Sequence, residues 1–463
     1  MADEVQLNCL LNVGTVPAGG EPRLVYLLVN VRPGKGTRVL QAPVNMAVVL
    51  DVSESMRLPV LTQAQFQELS RSGKVRQTVS DGVPVWTFAS IPEDIRRQAP
   101  SNLEMVQSAI AQAAGHFTQA DRVTLVAFAD RAEVLLRGVP GSERRRILDA
   151  VSALGNIQLG DGTDMSAGLR MGLEELEREG ATQSEREGAP DMVNRVLVLT
   201  DGFTRDPKAS LELVAQARRR GVVVSTLGIG TEFNENLLVE MADASLGNAY
   251  FARVPQEIPP AFRQEVATAQ SVVLRHVDIE VRTSTGVEVR RAYRLRPAIA
   301  QVHDAKRDER SVVISVGDVH PEQPPALLLE MVVPPQPGGT FRIARVAVSH
   351  GGKQVSTSDV VLNYSASGAP VQEQPDPTVM SVVERVSAYV LQTRALDDLA
   401  SGNKGAATKK LRAAATRLLA VGEAELARTV QLEAERIEQA GEVSPEGAKE
   451  MRYATRKLTS RLN

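Results

Sequence analysis

Between residues 43 and 265, short apolar runs alternate with longer segments in which apolar residues recur every three or four positions. The short runs predict strands and the longer segments predict helices. Strands that alternate with helices are typical of an α/β fold with a mainly parallel sheet and crossover helices on both faces. The predicted strands span residues 45–50, 121–129, 132–137, 194–200, 222–228 and 249–252. The predicted helices span residues 102–118, 164–179, 208–220 and 235–246.

The segments on either side of this α/β region carry a different pattern. Val25, Leu27, Val29 and Val31 occupy alternate positions, which predicts a strand with one buried face. Strands are predicted at 4–13, 22–31 and 37–41, and again at 271–283, 287–295, 310–316, 325–333, 341–349 and 354–363. The first three strands are too few to enclose a core of their own. We therefore predict one discontinuous antiparallel β-sandwich, built from residues 1–41 and 271–364, into which the α/β domain of residues 42–270 is inserted.

The pattern of the C-terminal part of the chain predicts helices. Residues 365–377 are rich in proline and predict a linker. The sequence beyond is rich in Ala, Leu, Glu and Arg with helical spacing, which predicts an α-helical bundle over residues 378–463. The predicted helices span 378–401, 404–420, 423–440 and 444–461.

The composition restricts the classes of partner. The formal net charge of −3 gives no global attraction to nucleic acid or to an anionic membrane, and aromatic residues make up only 3% of the chain. The N-terminus does not have the pattern of a secretory signal, and no apolar run reaches the roughly 18 residues that span a bilayer. The single cysteine, Cys9, fits a reducing compartment. We expect a cytoplasmic protein that binds neither nucleic acid nor membrane.

Candidate metal ligands follow three of the predicted elements. A buried run ends in a carboxylate and continues with two hydroxyls at alternate positions, a glycine-rich segment delivers a third hydroxyl at a helix start, and a second buried run ends in Asp-Gly. The carboxyl edge of an open α/β sheet is where ligands bind, and an all-oxygen set suits a small hard cation such as Mg²⁺. Each residue taken alone could instead cap a turn at a strand end. The candidate ligands are Asp51, Ser53, Ser55, Thr163 and Asp201.

These three segments, in this order, resemble the von Willebrand factor A (vWA) domain and its metal-ion-dependent adhesion site over roughly residues 43–265. The resemblance implies that Ser53 and Ser55 bind the metal directly and that Thr163 supplies a third hydroxyl. It implies that Asp51 and Asp201 balance the charge, partly through water. It further implies that a carboxylate of a partner protein fills the open coordination position. One departure is Glu54, which stands between the two serines where the family usually has Gly.

The function that the resemblance implies is a protein–protein interaction module rather than an enzyme. Such a module would bind Mg²⁺, or else Mn²⁺ or Ca²⁺, and capture an acidic residue of its partner through the cation. The sequence nominates no base for Cys9 and contains no phosphate loop with Gly-Lys-Ser or Gly-Lys-Thr. The alternatives are a metal-dependent hydrolase or phosphatase that uses Asp51 and Asp201, and a vWA partner subunit of an ATPase machine.

A second departure is an insertion at about 57–100, which enters directly after the two serines. Thr62 can cap a short helix, and residues 75–79 and 83–88 alternate like the strands of a hairpin around Asp81-Gly82. The insertion could be a lid or a partner-reading surface, because it contains Trp86, the only tryptophan of the chain. The alternative is a decoration packed on the flank of the domain.

Overall fold

The computed structural model describes residues 5–34, 42–80, 83–88, 90–184, 192–230, 232–365 and 374–460. The chain forms two compact units. The central unit spans Ala42–Gln270, and the discontinuous unit combines Met1–Gln41 with Ser271–Asn463. The short strand expected at 37–41, the Asp81-Gly82 turn and the side chain of Trp86 lie outside the described residues.

The discontinuous unit begins with three strands: β1 Val5–Leu11, β2 Thr15–Pro17 and β3 Arg23–Pro33. Strands β1 and β3 pair antiparallel, with Cys9 opposite Val29. Burial raises the pKa of the Cys9 thiol to about 11, so this thiol is protonated at neutral pH.

The strands of the central unit are β4 Val44–Asp51, β5 Val75–Ser80, β6 Val83–Phe88, β7 Arg122–Phe128, β8 Ala132–Pro140, β9 Val193–Thr200, β10 Val223–Ile229 and β11 Ala249–Ala252. Six of them form one sheet in the order β11-β10-β9-β4-β7-β8. Only the pair of β7 and β8 is antiparallel, and the other neighbours run parallel. The mainly parallel sheet predicted from the sequence is therefore confirmed.

The helices of the central unit are α1 Glu54–Arg57, α2 Gln63–Arg71, α3 Glu93–Gln98, α4 Asn102–Ala113, α5 Arg144–Ala153, α6 Met165–Ser184, α7 Pro207–Arg219, α8 Glu235–Ser245 and α9 Ile258–Gln270. Short 3-10 helices span Leu154–Asn156 and Pro255–Glu257. Two glycines let α6 approach the sheet closely. A Cβ at Gly168 would lie 2.7 Å from the ring of Phe128, and one at Gly172 would lie 2.8 Å from the side chain of Val49. These contacts fix the start of α6 relative to β4 and β7.

The insertion forms the helix and the hairpin that the sequence predicted. Thr62 and Gln65 make a capping box at the start of α2, and β5 pairs antiparallel with β6. A β-bridge between Pro59 and Ser101 closes the base of the insertion, and the amide of Val60 donates a hydrogen bond of 3.3 Å to the carbonyl of Pro100. The insertion thus enters and leaves the central unit at one point.

The later strands of the discontinuous unit are β12 Leu274–Thr283, β13 Glu288–Arg294, β14 Ala300–Gln301, β15 Lys306–Arg307, β16 Ser311–Val319, β17 Ala326–Val333, β18 Gly339–His350 and β19 Lys353–Ser365. One sheet has the order β1-β3-β17-β13-β14, and the other has the order β15-β16-β12-β18-β19-β2. An aliphatic core that includes Leu27 and Ile279 lies between them. Because β3 pairs with β17, the N-terminal segment completes a sheet whose other strands follow the central unit.

Four C-terminal helices complete the discontinuous unit: α10 Pro377–Ala400, α11 Lys404–Ala420, α12 Ala424–Ala440 and α13 Pro445–Arg456. They share a second apolar core with the sheet that contains β3, and this core includes Leu28, Tyr293 and Leu328. That sheet is therefore covered on both faces. Among the described residues, no helix combines the length and the apolar character that crossing a membrane requires.

Candidate metal centre

The candidate site lies at the carboxyl ends of β4 and β9, which are neighbours in the central sheet. Leu50 pairs with Leu199 in parallel register, so Asp51 and Thr200 lie side by side where the two strands end. On its other side, β4 pairs with β7, which follows it in the sheet order. The crossover that follows β4 leads to β7, and the crossover that follows β9 leads to β10 on the opposite side. Open α/β sheets bind ligands between two strands whose connections diverge in this way.

Asp51 is fully buried and is held by hydrogen bonds on both carboxylate oxygens. Its Oδ1 accepts from the backbone amide of Ser53 at 2.9 Å, and its Oδ2 accepts from Oγ1 of Thr200 at 2.6 Å. Burial raises the pKa of Asp51 above its ordinary value. The carboxylate is thus fixed in position but poorly solvated.

The two serine hydroxyls lie next to each other. Ser53 Oγ and Ser55 Oγ are 3.1 Å apart, and Ser55 Oγ donates to Oδ1 of Asp201 at 2.7 Å. The one-turn helix α1 begins directly after Ser53, and its Met56 is buried, which anchors this turn. The side chain of Glu54 is exposed. The first and third segments of the motif therefore meet through Ser55 and Asp201.

Asp201 is a second buried carboxylate in the same cluster. Besides Ser55, its partner is Asn102, whose Nδ2 donates to Oδ2 of Asp201 at 3.0 Å. Burial, and after it the negative charge of Asp51, raise the pKa of Asp201 to about 6. Sequence reasoning missed Asn102. Asn102 is a buried polar residue at the first position of α4, and its contact with Asp201 is not visible in the sequence.

Thr163 is brought to this cluster by the segment that follows Asp201. Its carbonyl accepts from Oγ1 of Thr204 at 3.2 Å and from the amide of Arg205 at 3.1 Å. Its own Oγ1 lies 3.4 Å from the position that a Cβ would take at Gly202. The structure therefore brings together all five residues that the sequence nominated.

Asp130, which the sequence did not nominate, supports the loop that carries Thr163. Its Oδ2 accepts from the amide of Asp161 at 3.0 Å, and its carboxylate pairs with Arg205. The hydrogen bond from the amide of Gly162 is the largest cause that holds the pKa of Asp130 below its ordinary value. Glycine is required at 160 and 162, because a Cβ there would lie 2.1 Å and 2.4 Å from Asp130 oxygens, and Gly160 has a φ of +101°. Asp130 therefore links the 160–163 and 201–205 loops.

Asp164 has the structural role that its position at a helix start indicates. Its Oδ1 accepts from Oγ of Ser166 at 2.7 Å and from the amide of Ala167 at 3.0 Å. These bonds satisfy donors in the first turn of α6. Asp161 has an exposed side chain beside the cluster.

The cluster fits a divalent cation by its chemistry. Two buried carboxylates repel each other, and within the described residues neither forms an ion pair with Lys, Arg or His. A hard cation between them would offset this repulsion, and the three hydroxyls offer further oxygen ligands. No group of three or more His, Cys, Asp or Glu residues suited to a metal occurs in the described part of the chain. The case for a metal thus rests on the mixed set of carboxylates and hydroxyls.

Comparison with protein families identifies the fold of the central unit. A family model of the von Willebrand factor type A domain matches residues 96–263. This chain contains a vWA domain. The matched range begins near the end of the insertion, so it includes Thr163 and Asp201 but not the segment of Asp51, Ser53 and Ser55. A second model, the Sll0103-like C-terminal alpha-helical domain, matches residues 377–461, the region of α10 to α13.

Solved structures extend the likeness beyond the vWA domain. A von Willebrand factor type A protein from Catenulispora acidiphila superposes with a TM-score of 0.71 at 16% sequence identity, and the match covers 98% of this chain and 97% of that chain. The ArnB paralog VWA2 from Sulfolobus acidocaldarius superposes with a TM-score of 0.53 at 15% identity, and covers 98% of this chain and 99% of that chain. At these identities the likeness shows a shared fold.

Two curated relatives are themselves uncharacterized. YfbK of Escherichia coli is 27% identical over 184 residues, which are 39% of this chain and 30% of that protein. The protein sll0103 of Synechocystis sp. is 22% identical over 321 residues, which are 68% of this chain and 74% of that protein. The chain therefore matches less than a third of YfbK and about three quarters of sll0103.

Proposed function

We propose that the vWA domain binds one divalent cation, Mg²⁺ or else Mn²⁺ or Ca²⁺, and captures an acidic residue of a protein partner through it. Ser53, Ser55 and Thr163 would supply hydroxyl ligands, and Asp51 and Asp201 would balance the charge. The observation that carries this proposal is the pair of buried carboxylates, which form no ion pair in the described part of the chain, beside three hydroxyls at the carboxyl edge of the sheet. When bound, the cation would supply an electrophilic position for a carboxylate oxygen.

Capture of a partner fits this cluster better than hydrolysis does. A metal-dependent hydrolase needs a base that can take a proton from metal-bound water. Asp51 and Asp201 already accept hydrogen bonds from Thr200, Ser53, Ser55 and Asn102, so they serve to hold the cluster together. The vWA fold is in general a module of protein–protein interaction. We therefore propose a non-enzymatic function.

Calorimetric titration of the full chain with MgCl₂ tests the metal site. We expect one binding event in the wild type. In Asp201→Asn, we expect binding weaker by on the order of tenfold or more, because the variant loses a negative charge from the set. The amide can still bond to Ser55 and Asn102, so the variant should remain folded without metal, which its circular dichroism and thermal midpoint will report.

Asp161→Asn is the matched control, because it removes a carboxylate of the same size from an exposed position beside the cluster. It should leave the Mg²⁺ affinity within about twofold, since an exposed charge interacts weakly in water. Equal affinities for the wild type and Asp201→Asn would refute the proposed metal site.

Partner capture is tested by affinity purification with the wild type and Asp201→Asn as baits, in Mg²⁺ and in chelator. A partner of the proposed kind is enriched only by the wild type in Mg²⁺. Changing its candidate acidic residue to the amide should then abolish the enrichment. A partner that binds equally in chelator uses another surface of the chain.

A further inference from the structure

A large aromatic side chain projects from the loop that carries Asp201. Phe203 is 65% exposed, the highest value among the large apolar side chains of the described residues. Its neighbours are anchored on both sides, because Asp201 accepts from Ser55 and Thr204 donates to the carbonyl of Thr163. Two residues of chain span at most about 7 Å, so the Phe203 backbone lies close to Asp201. The exposed ring is therefore held beside the candidate metal site.

A second exposed apolar residue comes from the base of the insertion. Val60 is 40% exposed, and its amide bonds to the carbonyl of Pro100. Two residues after Pro100, Asn102 donates to Asp201. Phe203 follows Asp201 by two residues, and Val60 is bonded to the segment that carries Asn102, so both exposed apolar side chains come from segments that border the cluster.

The third feature of this surface is a negative charge, which Glu54 places beside the cluster. Glu54 stands between Ser53 and Ser55 with an exposed side chain, and it makes no ion pair within the described residues. Consecutive Cα atoms are about 3.8 Å apart, so the side chain that carries this negative charge starts directly between the two serines. The cation would offset the repulsion from this charge for the one carboxylate that it holds, whereas a second acidic residue of the partner segment would be repelled without compensation.

We propose that the surface formed by Phe203, Val60 and Glu54 selects a protein segment in which one carboxylate is flanked by a bulky apolar residue and by no second acid. This inference rests on the proposed function, since the carboxylate is the group that the cation would hold. The apolar neighbour would bury the ring of Phe203, and a buried aromatic anchor is a common source of binding energy at interfaces. The carboxylate bound to the cation would orient the partner segment, and the contact with Phe203 would select segments that have an apolar residue beside the carboxylate.

Synthetic peptides test this proposal on the full chain. We would use labelled nine-residue peptides with a central Glu in a Gly-Ser background and with Leu, Phe, Ser or Glu at the flanking positions. Fluorescence anisotropy in MgCl₂ should show that Leu- and Phe-flanked peptides bind at least tenfold tighter than Ser-flanked ones, and that Glu-flanked ones bind weakest. Chelator should abolish all of this binding.

Two variants locate the selectivity. Phe203→Ala should reduce the preference for Leu or Phe over Ser to less than threefold, and Glu54→Gln should improve the binding of Glu-flanked peptides several-fold. Leu419→Ala is the matched control, because Leu419 is 59% exposed on α11 of the discontinuous unit. It should leave every affinity unchanged.

The possible failures are distinguishable. Mg²⁺-dependent binding of all peptides alike, or an unchanged preference in Phe203→Ala, overturns this inference and leaves carboxylate capture intact. A chain that binds Mg²⁺ in the calorimeter but binds no peptide overturns carboxylate capture itself. Mg²⁺-dependent self-association that Phe203→Ala disrupts, measured by sedimentation, assigns the surface to a second copy of the chain and overturns the choice of a peptide partner.

Discussion

At the scale of single residues, the protonation of Asp201 should control metal affinity. Its pKa is about 6 in the metal-free protein, because it is buried and close to Asp51. A cation binds the deprotonated carboxylate, so binding must displace a proton when the pH is below the pKa. We expect the Mg²⁺ affinity to be nearly constant above pH 7 and to fall by about tenfold at pH 5. Calorimetry across this range measures the change.

The control for this pH dependence is Asp201→Asn, which has no proton to displace at this position. Its weaker affinity should vary less with pH than that of the wild type, and the remaining variation reports Asp51, whose pKa burial also raises. An affinity of the wild type that is the same at pH 5 and pH 8 would contradict the raised pKa of Asp201.

The sequence identified the five cluster residues because each stands at the end of a strand or at the start of a helix, where a short motif is visible. It did not identify Asn102 or Asp130, and the reason is physical. Both act through tertiary contacts, Asn102 on Asp201 across 99 residues and Asp130 on the backbone of Asp161 across 31 residues. Neither contact follows from local spacing or periodicity.

At the scale of elements, Asp130 should position the loop that carries Thr163. In Asp130→Ala, the amide of Asp161 and the side chain of Arg205 lose their partner. We expect the Mg²⁺ affinity to fall by about tenfold, which is typical when a group that orients a metal ligand is removed. The thermal midpoint in chelator should change little, since the side chain lies at the surface.

Two further variants separate the contributions of Asp130. Arg205→Ala removes only the ion pair and should weaken Mg²⁺ binding less than Asp130→Ala does, because exposed ion pairs contribute little. Asp130→Asn keeps an acceptor oxygen and should be intermediate. If all three variants bind Mg²⁺ like the wild type, the position of Thr163 does not depend on this contact.

The insertion is an element that should be removable without loss of the metal site. Its base is closed by the Pro59–Ser101 bridge and the Val60–Pro100 hydrogen bond, and all five proposed ligands lie outside it. Replacing residues 61–99 by a short Gly-Ser linker retains this base. We expect Mg²⁺ affinity within about threefold of the wild type and an altered affinity for the native partner, measured by calorimetry and by pull-down. An unchanged affinity for the partner would make the insertion a decoration.

The predictions of elements succeeded where one pattern dominated. Helices α10, α11 and α12 begin and end within one residue of the predicted bounds, because Gly402, Gly422 and Gly441 separate them, each with positive φ. Helix α5 was missed because it starts with three arginines and buries only Ile147 and Val151. Helix α9 was missed because Pro259 and Pro260 lie in its first turn, where proline is in fact tolerated. Helix α5 lacks a broad apolar stripe, whereas α9 has one, with Ile258, Phe262 and Val266 buried.

At the scale of the whole molecule, one sheet of the discontinuous unit lies between the second sheet and the C-terminal helices. Val25, Leu27 and Val29 of β3 belong to the core shared with the second sheet, whereas Leu28 belongs to the core shared with the C-terminal helices. The sequence pattern predicts β3 as a strand with one buried face and the helices as a bundle beyond a linker. Strand β17 is apolar at every position except Glu330, and this was the signal of a strand covered on both faces.

This arrangement predicts that neighbouring residues of β3 contribute equally to the stability of the fold, although their side chains lie on opposite faces of the sheet. Leu27 and Leu28 are both buried, Leu27 against the second sheet and Leu28 against the helices, whereas Leu24 at the start of the strand is 45% exposed. We expect Leu27→Ala and Leu28→Ala each to lower the free energy of unfolding by about 2–4 kcal/mol, the usual result of emptying a buried leucine site. Leu24→Ala should lower it by about 0.5 kcal/mol or less.

Urea unfolding of the full chain, followed by circular dichroism, measures the free energy of unfolding of all three variants. If Leu28→Ala behaves like Leu24→Ala while Leu27→Ala is strongly destabilised, the helices do not cover this face of the sheet, and the helical region stands as a separate domain.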